Sequence, residues 1–311
     1  MRSWNTQKRD KTYMSKIGIV ILNYINWKVT AKCIQSIMAS AHSSPLTIIV
    51  IDNGSNNNSI EHIKASVSKY DEIIYLQIEQ NIGFANGNNV GLQWCEKHDL
   101  DYCLFINSDI IVHDNCVDVL HGVFHKVNDA VVVGPQILDI NHNLTESSLI
   151  KKTRFIDALG ILKWFKPKRI DESKVNNVER VYSVSGCCFM VDVKRFVEIG
   201  MFDKNTFLYN EENILAELVH RSNYSEYFTS ETYVIHEHAA SSGGKNDFVY
   251  TELLKSTLYY WKQYRRYNRF SLLLILFAWF LKMEVVKFKG NDVHPRKILH
   301  IGISYMRSLF K

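Results

Sequence analysis

Tyr102–Cys103–Leu104–Phe105–Ile106 runs directly into Asn107–Ser108–Asp109. Uncharged apolar residues in an unbroken run read as a strand covered on both faces, the kind found in parallel sheets flanked by helices. Asp109 then stands at the C-terminal tip of that strand, where open α/β sheets take their ligands. A carboxylate there suits a divalent cation, and Asn107 and Ser108 add oxygen donors beside it. Two earlier segments have the same form. Residues 47–51 end in Asp52–Asn53–Gly54–Ser55, and residues 73–78 lead to Asn81–Ile82–Gly83–Phe84–Ala85–Asn86–Gly87–Asn88–Asn89. Polar tips after successive apolar strands describe a site for a nucleoside diphosphate.

Outward from that segment the first half of the chain alternates. Residues 17–22, 47–51, 73–78, 102–106 and 130–133 are β-rich apolar runs. Residues 27–40, 59–69, 87–97 and 115–127 lie between them with helix-like patterning. The order predicts an α/β fold with a mostly parallel sheet and helices on both faces. The rhythm breaks after Pro135. Residues 141–177 have no clear period and read as a long excursion over the C-terminal edge of the sheet. Residues 181–191 predict one apolar strand with Gly186 inside it, a sign of close backbone approach. An amphipathic helix is expected from Glu211 to about His220, then a short strand over 232–235 leading to His236 and His238.

The chain has 311 residues, enough for one large domain with an appendage, and a mild formal charge of +5. That charge fits an anionic ligand or an anionic membrane surface, and no nucleic-acid partner is expected. The six cysteines show no zinc or CxxC spacing and read as reduced, buried side chains, which points to the cytosol. Residues 1–16 are polar and basic, so no signal peptide is expected. Residues 247–267 look helical, and residues 270–281 form an uncharged apolar run flanked by Arg265, Arg266, Arg269, Lys282, Lys287 and Lys289. As a helix that run would be about 18 Å long, against a hydrocarbon core of about 30 Å. It is too short to span. It could lie in the interface of an anionic membrane, or pack as a core or dimer helix.

Each candidate residue also has an ordinary use. An Asp before Asn-Gly starts turns. Glu211 and Glu212 at a helix start are favoured by the macrodipole alone. Histidines two apart on a strand share a face and are as easily structural as metal-binding. The Gly83–Asn89 stretch is not GxGxxG, which speaks against a dinucleotide fold, but its backbone N–H groups and amides could meet phosphate or a base.

Taken in order, these features resemble the family 2 inverting glycosyltransferases of the GT-A fold, in particular the rhamnosyltransferase-like members of bacterial polysaccharide assembly. The likeness rests on Leu22–Asn23–Tyr24, Asp52–Asn53–Gly54–Ser55, the Asn81–Gly91 stretch and Asn107–Ser108–Asp109. It continues through Val184–Ser185–Gly186, Gly200–Met201–Phe202–Asp203, Phe207–Leu208–Tyr209–Asn210–Glu211–Glu212, and His236 with Ser241. The likeness covers residues 16–245, the expected catalytic unit, and leaves a basic tail over 1–15 and a helical region over 246–311 that could associate with a membrane. Within the catalytic unit, 16–135 would bind the donor nucleotide and 136–245 the acceptor.

The resemblance also implies roles. Asp52 would hydrogen-bond the pyrimidine of a dTDP- or UDP-sugar. Asn23, Tyr24, Asn81, Gly83, Phe84, Asn88 and Ser108 would line the rest of the donor. Asp109 would bind Mg²⁺ or Mn²⁺ across the diphosphate, with His236 as a second contact. Glu212, or Glu211 beside it, would be the catalytic base, and Gly186 and Tyr209 would face a saccharide or polyprenyl-linked acceptor. Rhamnose is the first-choice sugar on branch alone. Asn107 replaces the first acid of an Asp-x-Asp pair, Ser108 a frequent Pro, and Glu211–Glu212–Asn213–Ile214 a common Glu-Asp-x-Asp. Those departures leave a catalytically inactive sugar-nucleotide-binding protein as a rival. A nucleotidyltransferase fits less well, because Asn23–Tyr24–Ile25–Asn26 stands where its Gly-rich basic loop would follow the first strand.

Overall fold

The expected alternation is present in the computed structural model, which describes residues 14–70, 73–145, 149–150, 152–159, 177–237 and 246–310. The first half runs β1 (Ile17–Asn23), α1 (Trp27–Ala39), β2 (Leu46–Asn53), α2 (Ser59–Ser66), β3 (Ile73–Ile78), α3 (Phe84–Lys97), β4 (Tyr102–Asn107), β5 (Ile110–Val112), α4 (Cys116–Lys126) and β6 (Ala130–Leu138). After it come β7 (Leu149–Ile150), α5 (Phe155–Leu159), β8 (Val178–Val181), β9 (Ser183–Val184), β10 (Cys188–Asp192), α6 (Val193–Glu198), α7 (Glu211–His220) and β11 (Ser225–His236). A nine-stranded sheet has the order β3-β2-β1-β4-β10-β6-β11-β5, with β8 also on β11. β1, β2, β3 and β4 are parallel, and β10 inserts antiparallel between β4 and β6. The apolar strands are buried from both sides, one core gathering Ile19, Ile21 and Leu104, the other Val20, Phe105 and Phe189. All six cysteines are buried and unpaired.

Four elements differ from the sequence expectation. Helix α3 begins at Phe84, three residues before Gly87. Gly87 and Gly91 are packing positions inside it: a Cβ at Gly87 would stand 2.5 Å from Leu22 Cδ1, and one at Gly91 2.5 Å from Val20 Cγ1. Their absent side chains let the helix lie flat on β1. Strand β6 passes through Pro135 to Leu138. The proline is tolerated because its partner strand slips register immediately after the Thr229–Pro135 pair. The single strand expected over 181–191 is three pieces, β8, β9 and β10, with Gly186 in the turn before β10. Strand β11 has 12 residues, far more than the four expected. The excursion over 141–177 lies mostly outside the described residues, as do His238 and Ser241.

The C-terminal helices are α8 (Asp247–Tyr259), running into a π-turn at Tyr260–Tyr264, α9 (Arg269–Phe288) and α10 (Pro295–Ser308). They enclose a third core of Leu254, Leu258, Leu272, Ile275, Trp261 and Met283, which also takes in Ile214 of α7. Asn210 Nδ2 donates to Ser256 Oγ at 2.9 Å, and Tyr259 and Tyr264 both donate to Asp203. These contacts tie α8 to the loop that carries Tyr209 and Glu212. Helix α9 is longer than its apolar run, yet Lys282, Glu284 and Lys287 interrupt it. Among the described residues no helix is long and apolar enough to cross a membrane.

Candidate active site

The sheet order puts the C-terminal tips of β1, β2 and β4 side by side: Asn23 is in register with Asp52, and Leu22 with Asn107. Asn23 Nδ2 donates to Asp52 Oδ1 at 2.7 Å, and Thr30 Oγ1 donates to Asn23 Oδ1 at 2.7 Å. Both Asn23 and Asp52 are buried. The turn beyond is tied down by Ser55, whose Oγ accepts from the Ile25 N–H at 2.7 Å. Tyr24, by contrast, is exposed.

A second network fixes the loop after β3. Asn53 Nδ2 donates to Asn81 Oδ1 at 3.0 Å, and Asn81 Oδ1 also accepts from the Gly83 N–H at 2.9 Å. Gly83 has φ 86°, and a Cβ there would overlap Phe207 O. Only glycine fits that turn. The Phe84 N–H then donates to Phe207 O at 2.8 Å, which joins the loop after β3 to the segment approaching Glu211. Asn88 is buried and its Nδ2 donates to Phe84 O at 3.0 Å, so its amide serves helix α3.

At the centre of the edge, the Asn107 N–H donates to Cys187 O at 2.8 Å, bringing Gly186 alongside the tip of β4. Asp109 is buried, and its Oδ1 lies 3.2 Å from His236 Nε2 at the end of β11. Burial opposes a charged imidazole, but hydrogen bonds to Asp109 and Cys187 outweigh it and raise the His236 pKa to about 10. Among the described residues no third His, Cys, Asp or Glu joins them in a metal-binding group. Asp109 and, once its proton is given up, His236 would make two donors, which fit a cation shared with a diphosphate and do not make a closed protein cage.

The acidic end is built differently. Tyr209 and Asn210 have φ 75° and 64° in succession before α7, conformations that disfavour side-chain-bearing residues by about 1–2 kcal/mol each. Glu211 is buried, and its Oε1 has no hydrogen-bond partner among the described residues. Burial and then the neighbouring Glu212 charge push its carboxyl up to about 8. Glu212 is also raised by burial, with its own N–H and that of Gly186 acting the other way. A Cβ on Gly186 would stand 2.5 Å from Glu212 Oε1, so the close approach signalled by Gly186 is to a carboxylate. A third acid, Glu226 of β11, lines the same small cavity. Nothing in the sequence marked it, because it follows a polar stretch that reads as surface.

Residues 18–197 match Glycosyl transferase family 2. The chain belongs to that family. This family 2 glycosyltransferase is 23% identical over 215 residues to the low-salt glycan biosynthesis hexosyltransferase Agl10 of Haloferax volcanii, across 67% of this chain and 62% of that protein. It is 22% identical over 225 residues to the N-acetylglucosaminyl-diphospho-decaprenol L-rhamnosyltransferase of Mycobacterium tuberculosis, across 66% of this chain and 71% of that one. Its chain thus spans less than two thirds of the Haloferax protein. Among solved structures it resembles GalNAc-T7 with UDP, GalNAc and Mn²⁺ (TM-score 0.57, 17% identity, 82% of this chain and 50% of that chain). It also resembles S. aureus TarS (TM-score 0.53, 11% identity, 85% of this chain and 43% of that chain). The fold is the GT-A arrangement that the resemblance implied.

Proposed function

We propose that this glycosyltransferase moves a sugar from a dTDP- or UDP-sugar to a saccharide or polyprenyl-linked saccharide, with inversion, in bacterial cell-surface polysaccharide assembly. The observation that carries it is the alignment, along one sheet edge, of Asp52, Asp109 with His236, and Glu212 beside Gly186. Asn23 holds Asp52 for the donor base, and the Asn81–Gly83 loop and Ser108 flank the donor. Asp109 and His236 would hold Mg²⁺ or Mn²⁺, which when bound supplies positive charge against the leaving diphosphate. Glu212 takes the acceptor hydroxyl proton as that oxygen attacks the anomeric carbon. Glu211 beside it is the alternative base; burial raises both carboxyls. Gly186 and Tyr209 would face the acceptor. Rhamnose remains the first sugar to try, in keeping with the name of the mycobacterial relative.

Docking on the inner leaflet belongs to the same proposal. Helix α9 turns Leu272, Ile275, Trp279 and Met283 into the third core and leaves Phe270, Leu274, Phe277, Leu281 and Phe288 exposed on its outside. Arg266, Arg269, Lys287 and Lys289 bracket that apolar face. A basic rim around an apolar stripe matches an anionic bilayer surface, each cation near it contributing about 1 kcal/mol. Nucleoside diphosphate release from a panel of dTDP- and UDP-sugars, with a polyprenyl-linked acceptor and Mn²⁺, tests the activity. Turnover on any donor that is abolished in Glu212→Gln supports it; no release and no binding of any donor refutes it.

A further inference from the structure

Glu226 is an acid in an apolar place. It shares its strand face with Phe228, which is fully buried in the core beneath α3 and α7. Its neighbours across the ladders are Val132 of β6 and Val181 of β8. The β6–β11 ladder slips register between Ser225 and Glu226. Irregularities of this kind re-aim a side chain, and are frequent beside active sites. Here the slip accompanies a carboxyl whose Oε2 accepts from the Val184 N–H at 3.0 Å. Its other oxygen, Oε1, is buried and has no partner among the described residues. Glu226 is only 1% exposed. It lines a cavity of about 10 Å³, near the size of one water, together with Glu211, Glu212, Gly186 and Ser183.

We propose that Glu226 is a positioning residue for Glu212, donating a hydrogen bond from Oε1 across the shared cavity to the Glu212 carboxylate. This rests on Glu212 being the base. A buried carboxylate with a bare oxygen is costly, whereas a carboxylic acid has a proton to give. Burial holds Glu226 up to about 8 against hydrogen bonds from the Val184 N–H and the Ser183 side chain, and the Glu212 charge acts in the same sense as burial. The titratable groups lining the cavity are Glu211 and Glu212 from α7 and Glu226 itself; β9 and β10 contribute none. In the proposed arrangement an ionised Glu212 has the neutral Glu226 carboxyl behind it, with Glu211, likewise pushed up to about 8, beside it. The donated hydrogen bond favours the ionised form of Glu212 and fixes its direction toward the sheet edge. As Glu226 ionises above about 8, that donor becomes a like charge and the support is lost.

The test uses the full chain with Glu226→Gln and Glu226→Leu, and with Glu212→Gln as reference. Infrared difference spectra over pH need no substrate. Glu226→Gln should remove one neutral-carboxyl band that in the unaltered protein fades as pH rises past about 8. The Glu212 signal, assigned by its loss in Glu212→Gln, should titrate at unchanged pH in Glu226→Gln and about one pH unit higher in Glu226→Leu. Nucleoside diphosphate release from the panel of dTDP- and UDP-sugars gives the second readout. Glu226→Gln should match the unaltered protein near neutral pH and lose its alkaline decline, because the amide still donates but cannot ionise. Glu226→Leu should lose about tenfold in kcat near neutral pH with donor KM unchanged. If Glu226 is ionised near neutral pH, or if Glu212 titrates alike in all Glu226 variants, the proposal is overturned. If Glu226→Leu does not fold, the Glu226→Gln spectra decide. Full turnover in Glu212→Gln would refute the base assignment instead, and the spectra would still report separately on Glu226.

Discussion

The nucleotide end and the acidic end of the sheet edge are built on opposite terms. At the first, polar groups answer one another: Thr30 to Asn23, Asn23 to Asp52, Asn53 to Asn81, Asn81 to Gly83. At the second, Glu211 Oε1 and Glu226 Oε1 are buried with no partner among the described residues, behind two left-handed residues. Satisfied networks hold a shape ready for a ligand. Unsatisfied buried acids destabilise a fold, and they concentrate where protons are moved. On the proposed function, ground-state binding belongs to the first end and chemistry to the second.

The sharpest way to break that division is Glu212→Gln. Transfer should fall by about 10³-fold, the scale of a lost general base, with donor affinity and Tm retained. Gly186→Ala should come next. Its new Cβ would meet the Glu212 carboxylate at 2.5 Å, so kcat should drop about 10²-fold while donor affinity holds. Steady-state kinetics beside calorimetry separates the two parameters.

The opposite end should respond in the opposite way. Asp52→Ala removes the acceptor of the Asn23 amide at 2.7 Å. It should weaken donor binding about tenfold and lower stability by about 1–3 kcal/mol, with kcat at saturating donor little changed. Urea unfolding and calorimetry check both effects.

Smaller is the pH effect on stability. Glu226 has its pKa raised from 4.5 to about 8 in the folded protein, so its contribution is full below 4.5 and is lost as pH rises toward 8. Glu226→Gln should therefore melt about 2 °C or more above the unaltered protein near pH 9 relative to their difference near pH 5. Smallest for the fold is Phe277→Ser with Leu274→Ser on the outer face of α9. Tm should stay within about 1 °C, while flotation with anionic liposomes is lost. Trp279 is unsuitable for that test, being buried in the third core.

The binding end was largely legible in the sequence because its strands are unbroken apolar runs and their tips are short polar turns. The acidic end was not. Residues 181–191 hide a turn because Ser185, Gly186 and Cys187 are themselves buried, so no polar break marks it. Glu226 follows Arg221–Ser222–Asn223–Tyr224–Ser225 and looks like more surface, while the N–H it accepts from belongs to Val184, 42 residues away. Gly87 falls in a stretch that reads as a ligand loop, whereas its crowding against Leu22, like that of Gly91 against Val20, makes it a packing position. In α9 the apolar run was plain, but only the packed helices show which side of it is core.

The most direct measurement of the division is a paired titration. Donor binding with and without Mn²⁺, and turnover of the same donor, are measured for the unaltered protein, Asp109→Ala and Glu212→Gln. Asp109→Ala should lose the Mn²⁺-dependent part of binding, and Glu212→Gln should bind as before yet transfer about 10³-fold more slowly. Unchanged Mn²⁺ dependence in Asp109→Ala, or binding and transfer lost together in Glu212→Gln, would contradict it.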